Sequence, residues 1–214
     1  GIKSRMENNL SIGLGSSGVT LQELVSAYSA FANHGIKVES KGIRYVENRN
    51  GKVLFKESQN KTQPISNGIA SVITSLLQSV VKEGTAKKVR ALERPTAGKT
   101  GTTNNYIDAW FLGYTPKLLT GVWVGKDDVE PLGKNETGSR AALPIWLEYM
   151  KRALEGTPIH NFRTTYETVF TKINPDTGNL TDAEDPKGYF EIFLKDKLPA
   201  KQNNATKVLI DKAF

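Results

Sequence analysis

Within Ala97-Gly98-Lys99-Thr100-Gly101-Thr102-Thr103, one cation, three hydroxyls and two glycines fall together. Phosphate binding is the first chemistry to weigh, because Gly-Lys-Thr ends the Walker loop, whose backbone N–H groups cradle phosphates. That loop needs glycine at position 93, and the residue there is Glu93. What remains suits acyl-group handling. On a strand, side chains two apart share a face, so Thr100 and Thr102 would present two hydroxyls side by side while Lys99 supplies positive charge. Gly101 between them leaves room for a substrate backbone to lie along the strand edge as an added strand, its carboxylate held by the hydroxyls. Lys-Thr-Gly alone is a common tripeptide that a bulged strand would explain equally well, so the surrounding elements must decide.

Those elements are legible in the patterning. Thr20-Leu21-Gln22-Glu23 has the form of a capping box, and Leu21, Leu24, Val25, Tyr28, Phe31 and Ala32 follow at helical spacing before Gly35 supplies a left-handed stop. Ile43 to Glu47 and Lys52 to Lys56 form a predicted hairpin around Asn48-Arg49-Asn50-Gly51, with Asn-Gly favouring positive φ. Ser66 can cap a second helix whose buried stripe is Ile69, Val72, Ile73, Leu76, Leu77, Val80 and Val81, ended by Gly84. Three strands then come in close succession, over 95–103, 108–114 and 118–126, and their short links make them antiparallel neighbours. Both faces of that sheet carry apolar residues, so helices must cover both. Gly121 and Gly125 mark places where another element comes close. Pro144 opens a third helix with Leu143, Trp146, Leu147, Met150 and Leu154 on its buried face.

Composition removes other chemistries. No cysteine excludes a disulfide framework, a thiol nucleophile and Cys-ligated metals, and two histidines leave little for a His cluster, so neither metal nor cofactor is expected. The net charge of +7 comes from 29 basic and 22 acidic residues spread along the chain. Lys87, Lys88 and Arg90 lack interleaved aromatics, so the charge reads as solvated surface and no nucleic-acid partner is expected. Gly13 to Gly18 matches G-x-G-x-x-G but follows no convincing strand, which sets the dinucleotide reading aside. The chain opens Gly1-Ile2-Lys3-Ser4 with no Met and no apolar leader, and is read as a piece of a longer polypeptide.

The longer context carries a family resemblance. Gly98-Lys99-Thr100-Gly101-Thr102-Thr103-Asn104-Asn105, then Asp108-Ala109-Trp110-Phe111-Leu112-Gly113-Tyr114-Thr115-Pro116, Gly121-Val122-Trp123-Val124-Gly125 and Ala141-Ala142-Leu143-Pro144-Ile145-Trp146 closely resemble the C-terminal half of the transpeptidase domain of class A penicillin-binding proteins. Leu14-Gly15-Ser16-Ser17, Tyr28-Ser29-Ala30-Phe31-Ala32-Asn33 and Glu83-Gly84-Thr85-Ala86 are similar to the same family further upstream. The likeness runs over about 1–155 and more loosely beyond.

The resemblance implies a serine acyl-enzyme formed on the D-Ala-D-Ala end of a peptidoglycan stem peptide, then taken by an amine of a second stem, with β-lactams mimicking the donor. By carry-over Lys99 helps proton movement, the hydroxyls of Thr100 and Thr102 hold the substrate carboxylate, Gly101 and Thr103 complete the binding strand, and the Thr102 N–H is half of the oxyanion hole. The family's Ser-x-x-Lys and Ser-x-Asn elements are expected before Gly1. Ser58 to Lys61 and Ser79 to Lys82 match Ser-x-x-Lys, yet one follows the hairpin and the other ends a helix, so both read as accidental. The missing N-terminal half of the domain is therefore an expected partner, and this chain alone is expected to be inactive. The implied location is the outer face of the cytoplasmic membrane in the bacterial cell envelope, anchored by a segment outside the chain.

The expected fold is α+β: an antiparallel sheet with helices on both faces, of the penicillin-binding transpeptidase and serine β-lactamase kind and incomplete at its N-terminal side. Residues 1–157 are assigned to it and 158–214 to a small β-rich extension with a partly disordered end. That extension has strands over 166–174 and 189–194 around a turn at Asn174-Pro175-Asp176-Thr177-Gly178. His34 and His160 read as incidental, Asp108 as a turn acceptor rather than a support for the Lys99 strand or for catalysis, and Trp110 to Tyr114 as core. Two rivals stay open: a D,D-carboxypeptidase or β-lactamase relative, and a non-catalytic envelope binding module that has lost the nucleophile.

Overall fold

A computed structural model describes residues 1–58 and 60–201 of the chain. The chain divides into two compact units, Gly1–Arg163 and Thr164–Phe214.

In the first unit, helix α1 (Leu21–Ala32) starts at its predicted capping box. Thr20 Oγ1 accepts from the Glu23 N–H, and Glu23 Oε2 accepts from the Thr20 N–H, each at 3.2 Å. Glu23 also accepts the Ser4 hydroxyl and the N–H groups of Lys3 and Ser4. The Ser4 hydroxyl above all, with the N–H groups of Lys3, Thr20 and Ser4, holds the Glu23 carboxyl down at about 2. Beyond the helix, Gly35 sits at φ +92°, and a Cβ there would lie 2.3 Å from the Ile65 carbonyl oxygen. Conformation and close approach both demand glycine.

Strand β1 (Lys37–Val38) then leads out to the hairpin of β2 (Tyr45–Glu47) and β3 (Val53–Lys56), and β4 (Lys61–Thr62) pairs back on β1. The hairpin forms where predicted, although not as a two-residue Asn-Gly turn. The Gly51 N–H closes on the Asn48 carbonyl at 3.0 Å, Asn48 Oδ1 accepts from Asn50 and Lys52, and only Gly51 takes positive φ, at +75°. A turn with one left-handed residue adds a bulge, and the register shifts between Val46 and Glu47.

Helix α2 (Asn67–Lys82) is capped by the Ser66 hydroxyl, which accepts from the Ile69 N–H at 3.2 Å. A 3-10 helix, Lys87–Leu92, buries Val89 and Leu92 before the sheet begins. Strands β5 (Ala97–Thr102), β6 (Ala109–Tyr114) and β7 (Leu119–Val124) lie in that order, antiparallel throughout. Residues directly opposite each other share a face, so Phe111 and Gly113 look one way and Leu112 and Tyr114 the other.

Helices cover both faces, as the sequence requires. Helix α3 (Leu143–Ala153), entered through a π-helical turn at Gly138–Ala142, puts Trp146 edge-on to Phe111 at 5.0 Å and hydrogen-bonds the Trp146 indole to the Thr120 carbonyl at 3.0 Å. Trp146, Phe111, Leu143, Met150 and Val89 are fully buried there. On the other face the Tyr114 hydroxyl meets Thr74 of α2 at 2.9 Å, and burial pushes that phenol far up. A Cβ on Gly121 would lie 2.5 Å from Val25 of α1, which is why β7 carries glycine there. Gly125, just past β7, has as its nearest neighbour not another element but the Trp123 ring two residues back.

The second unit is a two-stranded antiparallel hairpin, β8 (Thr168–Ile173) and β9 (Tyr189–Leu194). Asn174 Oδ1 accepts from the Asp176 and Thr177 N–H groups and closes the predicted turn. Asp185 is gripped by the Thr181 hydroxyl, the Lys187 N–H and the Asn174 amide, with its carboxyl down at about 2, chiefly through Thr181. The expected disorder of the chain's end falls on residues 202–214, outside the described residues.

Candidate substrate edge on strand β5

Strand β5 borders its sheet, and the hydrogen-bond phase of the ladder fixes which groups look outward. The Thr103 N–H donates to the Asp108 carbonyl at 3.1 Å, so 103 and 108 form a hydrogen-bonded pair. Such pairs alternate in an antiparallel ladder. Ala97, Lys99 and Gly101 therefore spend their backbone groups on β6, whereas Gly98, Thr100 and Thr102 direct theirs away from it. Ala97 and Gly98 are buried, whereas Lys99, Thr102 and Thr103 are exposed and Thr100 and Gly101 half-buried, so the edge is open from Lys99 onward.

Each polar side chain along the edge has a distinct setting. Lys99 lies opposite Leu112, yet its Nζ returns to the edge and donates to the Thr100 carbonyl at 2.9 Å. Thr100 and Thr102 share the Phe111 face, as the period of two predicts. The Thr100 hydroxyl is 2.7 Å from the Thr85 hydroxyl, on the link that follows α2. The Thr102 hydroxyl accepts from the Gly138 N–H at 3.0 Å. Gly138 rests directly on the sheet: a Cβ there would come within 2.3 Å of the Trp110 carbonyl oxygen and 2.4 Å of the Gly101 carbonyl oxygen. Thr103 Oγ1 accepts from the Asp108 N–H at 2.7 Å.

The loop beyond the strand is held from several sides. Asn105 and Tyr106 both take positive φ, at +61° and +57°. The Tyr106 carbonyl accepts from the Leu132 N–H at 2.9 Å. The Asp108 carboxylate accepts the Trp123 indole N–H at 2.8 Å, with the Trp110 ring 6.1 Å from Trp123. Asp108 is thus tied across the sheet through Trp123 as well as to the loop, beyond a turn acceptor. Within the aromatic strand Phe111 and Tyr114 are core, whereas Trp110 is half-buried and Trp123 on β7 is exposed.

Other candidates stay apart from this edge. Ser79 lies in the last turn of α2 and donates to the Ser75 carbonyl at 3.3 Å. Ser58 is exposed after β3, and its match includes Gln59, which lies outside the described residues. His34 is exposed at the end of α1, with φ +54°, and His160 borders a shallow depression with Arg94 and Lys117. Arg94 there donates to the Leu154, Thr157 and Pro158 carbonyls and ties the segment after α3 to the start of the β5 region. Among the described residues no group of three or more His, Cys, Asp or Glu could hold a metal ion, and no helix is long and apolar enough to cross a membrane. Thr85 and Gly138 are what reasoning from sequence missed. The signal for the first was its place in Glu83-Gly84-Thr85-Ala86, read there as part of the resemblance and given no role.

A helix-covered antiparallel sheet whose bordering strand offers a lysine, two hydroxyls on one face and outward peptide groups is a surface along which an extended chain with an anionic end could be held. The sequence model described as penicillin binding protein transpeptidase domain matches residues 2–150, and the chain belongs to that family. It is 39% identical to penicillin-binding protein 1A of Aquifex aeolicus, over 88% of this chain and 26% of the relative. It is 33% identical to penicillin-binding protein 1A of Pseudomonas aeruginosa, over 94% of this chain and 31% of the relative. Among solved structures it resembles penicillin-binding protein 1A from Haemophilus influenzae, with TM-score 0.83 and 26% identity, covering 92% of this chain and 35% of that one. It also resembles PonA1 from Mycobacterium tuberculosis in complex with penicillin V, with TM-score 0.64 and 32% identity over 74% of this chain and 44% of that one. The chain thus spans about a quarter to a third of the length of these curated relatives.

Proposed function

We propose that this chain supplies the Lys-Thr-Gly wall of a serine D,D-transpeptidase that cross-links peptidoglycan stem peptides and is acylated by β-lactams. In this reading residues 1–157 are the C-terminal part of the transpeptidase domain and 158–214 an extension to it. The observation that carries the reading is the open β5 edge, where Lys99 Nζ lies on the Thr100 carbonyl and the Thr100 and Thr102 hydroxyls share one face.

The chemistry follows from those groups. A serine hydroxyl from polypeptide preceding this chain attacks the carbonyl between the two D-Ala residues, the C–N bond breaks, and terminal D-Ala leaves with the serine's proton on its amine as the serine ester forms. An amine of a second stem attacks that ester, the new amide bond forms as the ester C–O bond breaks, and a proton from the amine passes to the serine oxygen. Lys99 keeps positive potential at the edge and helps proton movement. Thr100 and Thr102 donate to the substrate's terminal carboxylate, Gly101 lets its backbone lie close, and Thr103 fixes the end of the strand. The Thr102 N–H points away from β6, toward where the carbonyl oxygen becomes an oxyanion, with the serine's own N–H as second donor. The setting is the cell envelope, outside the cytoplasmic membrane, with membrane contact only through a segment outside this chain. No cofactor or nucleic acid takes part.

The test is labelling of the full-length protein by a fluorescent penicillin. The expected outcome is one covalently labelled site in the full-length protein and none in residues 1–214 alone. Lys99→Ala slows acylation by roughly 10²-fold or more, the scale of losing a transition-state electrostatic contact. A full-length protein that stays unlabelled is a binding module, and the transpeptidase reading then fails.

A further inference from the structure

The link between α2 and the Lys87–Leu92 helix is built tightly for a segment of four residues. A Cβ on Gly84 would lie 2.9 Å from the backbone of Val80, the Gly84 N–H donates to the Ser79 carbonyl at 3.2 Å, and the Ala86 N–H donates to the Val80 carbonyl at 3.2 Å. Ala86 is fully buried. Thr85 projects from between these two anchors, exposed, with its hydroxyl 2.7 Å from that of Thr100. Nothing in the proposed chemistry has used this side chain.

Proton arithmetic gives the pair a direction. A carboxylate only accepts hydrogen bonds, so a Thr100 hydroxyl that binds one must aim its single proton at the ligand. The proton between the two threonines then has to come from Thr85. In that arrangement Thr100 accepts from Thr85 on one side and donates to the ligand on the other, and accepting strengthens donating along such a chain. We infer that Thr85 is a positioning residue for the carboxylate-binding threonine: it sets the Thr100 hydroxyl rotor and polarises it toward an anionic ligand terminus. The inference rests on the reading of Thr100 as a carboxylate ligand.

The test compares acylation of the full-length protein by benzylpenicillin and by its methyl ester, in which the carboxylate is masked. Losing one hydrogen bond of ordinary strength in Thr85→Val lowers the second-order acylation constant for the free acid roughly fivefold, and the ester changes by less than about twofold. Thr85→Ala, which brings no extra methyl into the hydroxyl's place, reproduces the split, and Thr85→Ser restores the parent value for the acid. Equal loss on acid and ester, the mark of a disturbed fold, overturns the inference, and so does no loss on either. Thr100→Val is the separate control. If it selectively weakens the acid while Thr85→Val does not, the inference alone fails. If Thr100→Val spares the acid or weakens both alike, the carboxylate reading fails and takes the inference with it.

Discussion

Three threonines along one edge, Thr100, Thr102 and Thr103, are each met by a group from a different segment: the Thr85 hydroxyl, the Gly138 N–H and the Asp108 N–H. Hydroxyls rotate freely unless a partner fixes them, so the strand's chemistry depends on residues that sequence proximity does not reveal. Glu23 teaches the same lesson at a helix start. Its partnership with Thr20 was legible, because a capping box is a local pattern of four residues. Its bonds to Lys3 and Ser4, 20 and 19 residues back, were not. Their consequence is testable. The Glu23 carboxyl is held at about 2, below its ordinary 4.5, so the stabilisation it gives is present in full above pH 4.5 and is lost as pH falls toward 2. The melting temperature of the full-length protein should drop over that window, and Glu23→Gln should flatten that part of the drop. An identical slope in both proteins would contradict the assignment.

At the scale of elements, α1, α2, α3 and the three strands of the main sheet follow from apolar periodicity and cap residues, which act within a few positions of themselves. The π-helical turn Gly138–Ala142 does not, since nothing in its local pattern distinguishes it from the first turn of α3. What fixes it is packing: only a residue without a side chain can lay its Cα against the Gly101 and Trp110 carbonyls. Gly138→Ala must therefore push the turn off the sheet and break its hold on Thr102. The expected cost is about 1–3 kcal/mol, the usual range for overpacking a close contact, visible as a lower melting temperature together with slower penicillin acylation. A variant that melts within a degree of the parent and acylates at the same rate would show that the contact is soft.

At the scale of the whole molecule, the β2–β3 hairpin stands out because the first unit does not cover it. Val46 and Phe55 face each other across the strands and are 42% and 46% exposed, and Leu54 is 62% exposed. A two-stranded hairpin with apolar groups exposed on both strands is marginal in water. Residues 1–214 expressed alone should bind a hydrophobic dye and elute above monomer size, and replacing Val46 and Phe55 by lysine should reduce both. A monomeric, dye-free chain with one cooperative melting transition would argue the opposite. The amino-acid order alone determined the helix starts, the three-strand meander, the places of the turns and the identity of the strand that carries Lys99 and its threonines, because each depends on interactions a few residues long. Only tertiary structure decided which backbone groups of that edge face outward, which partners its hydroxyls meet and why Gly138 must be glycine. The first depends on the phase of the β5–β6 ladder, and the other two on segments 15 to 36 residues away meeting at hydrogen-bonding distance, of which spacing along the chain carries no record.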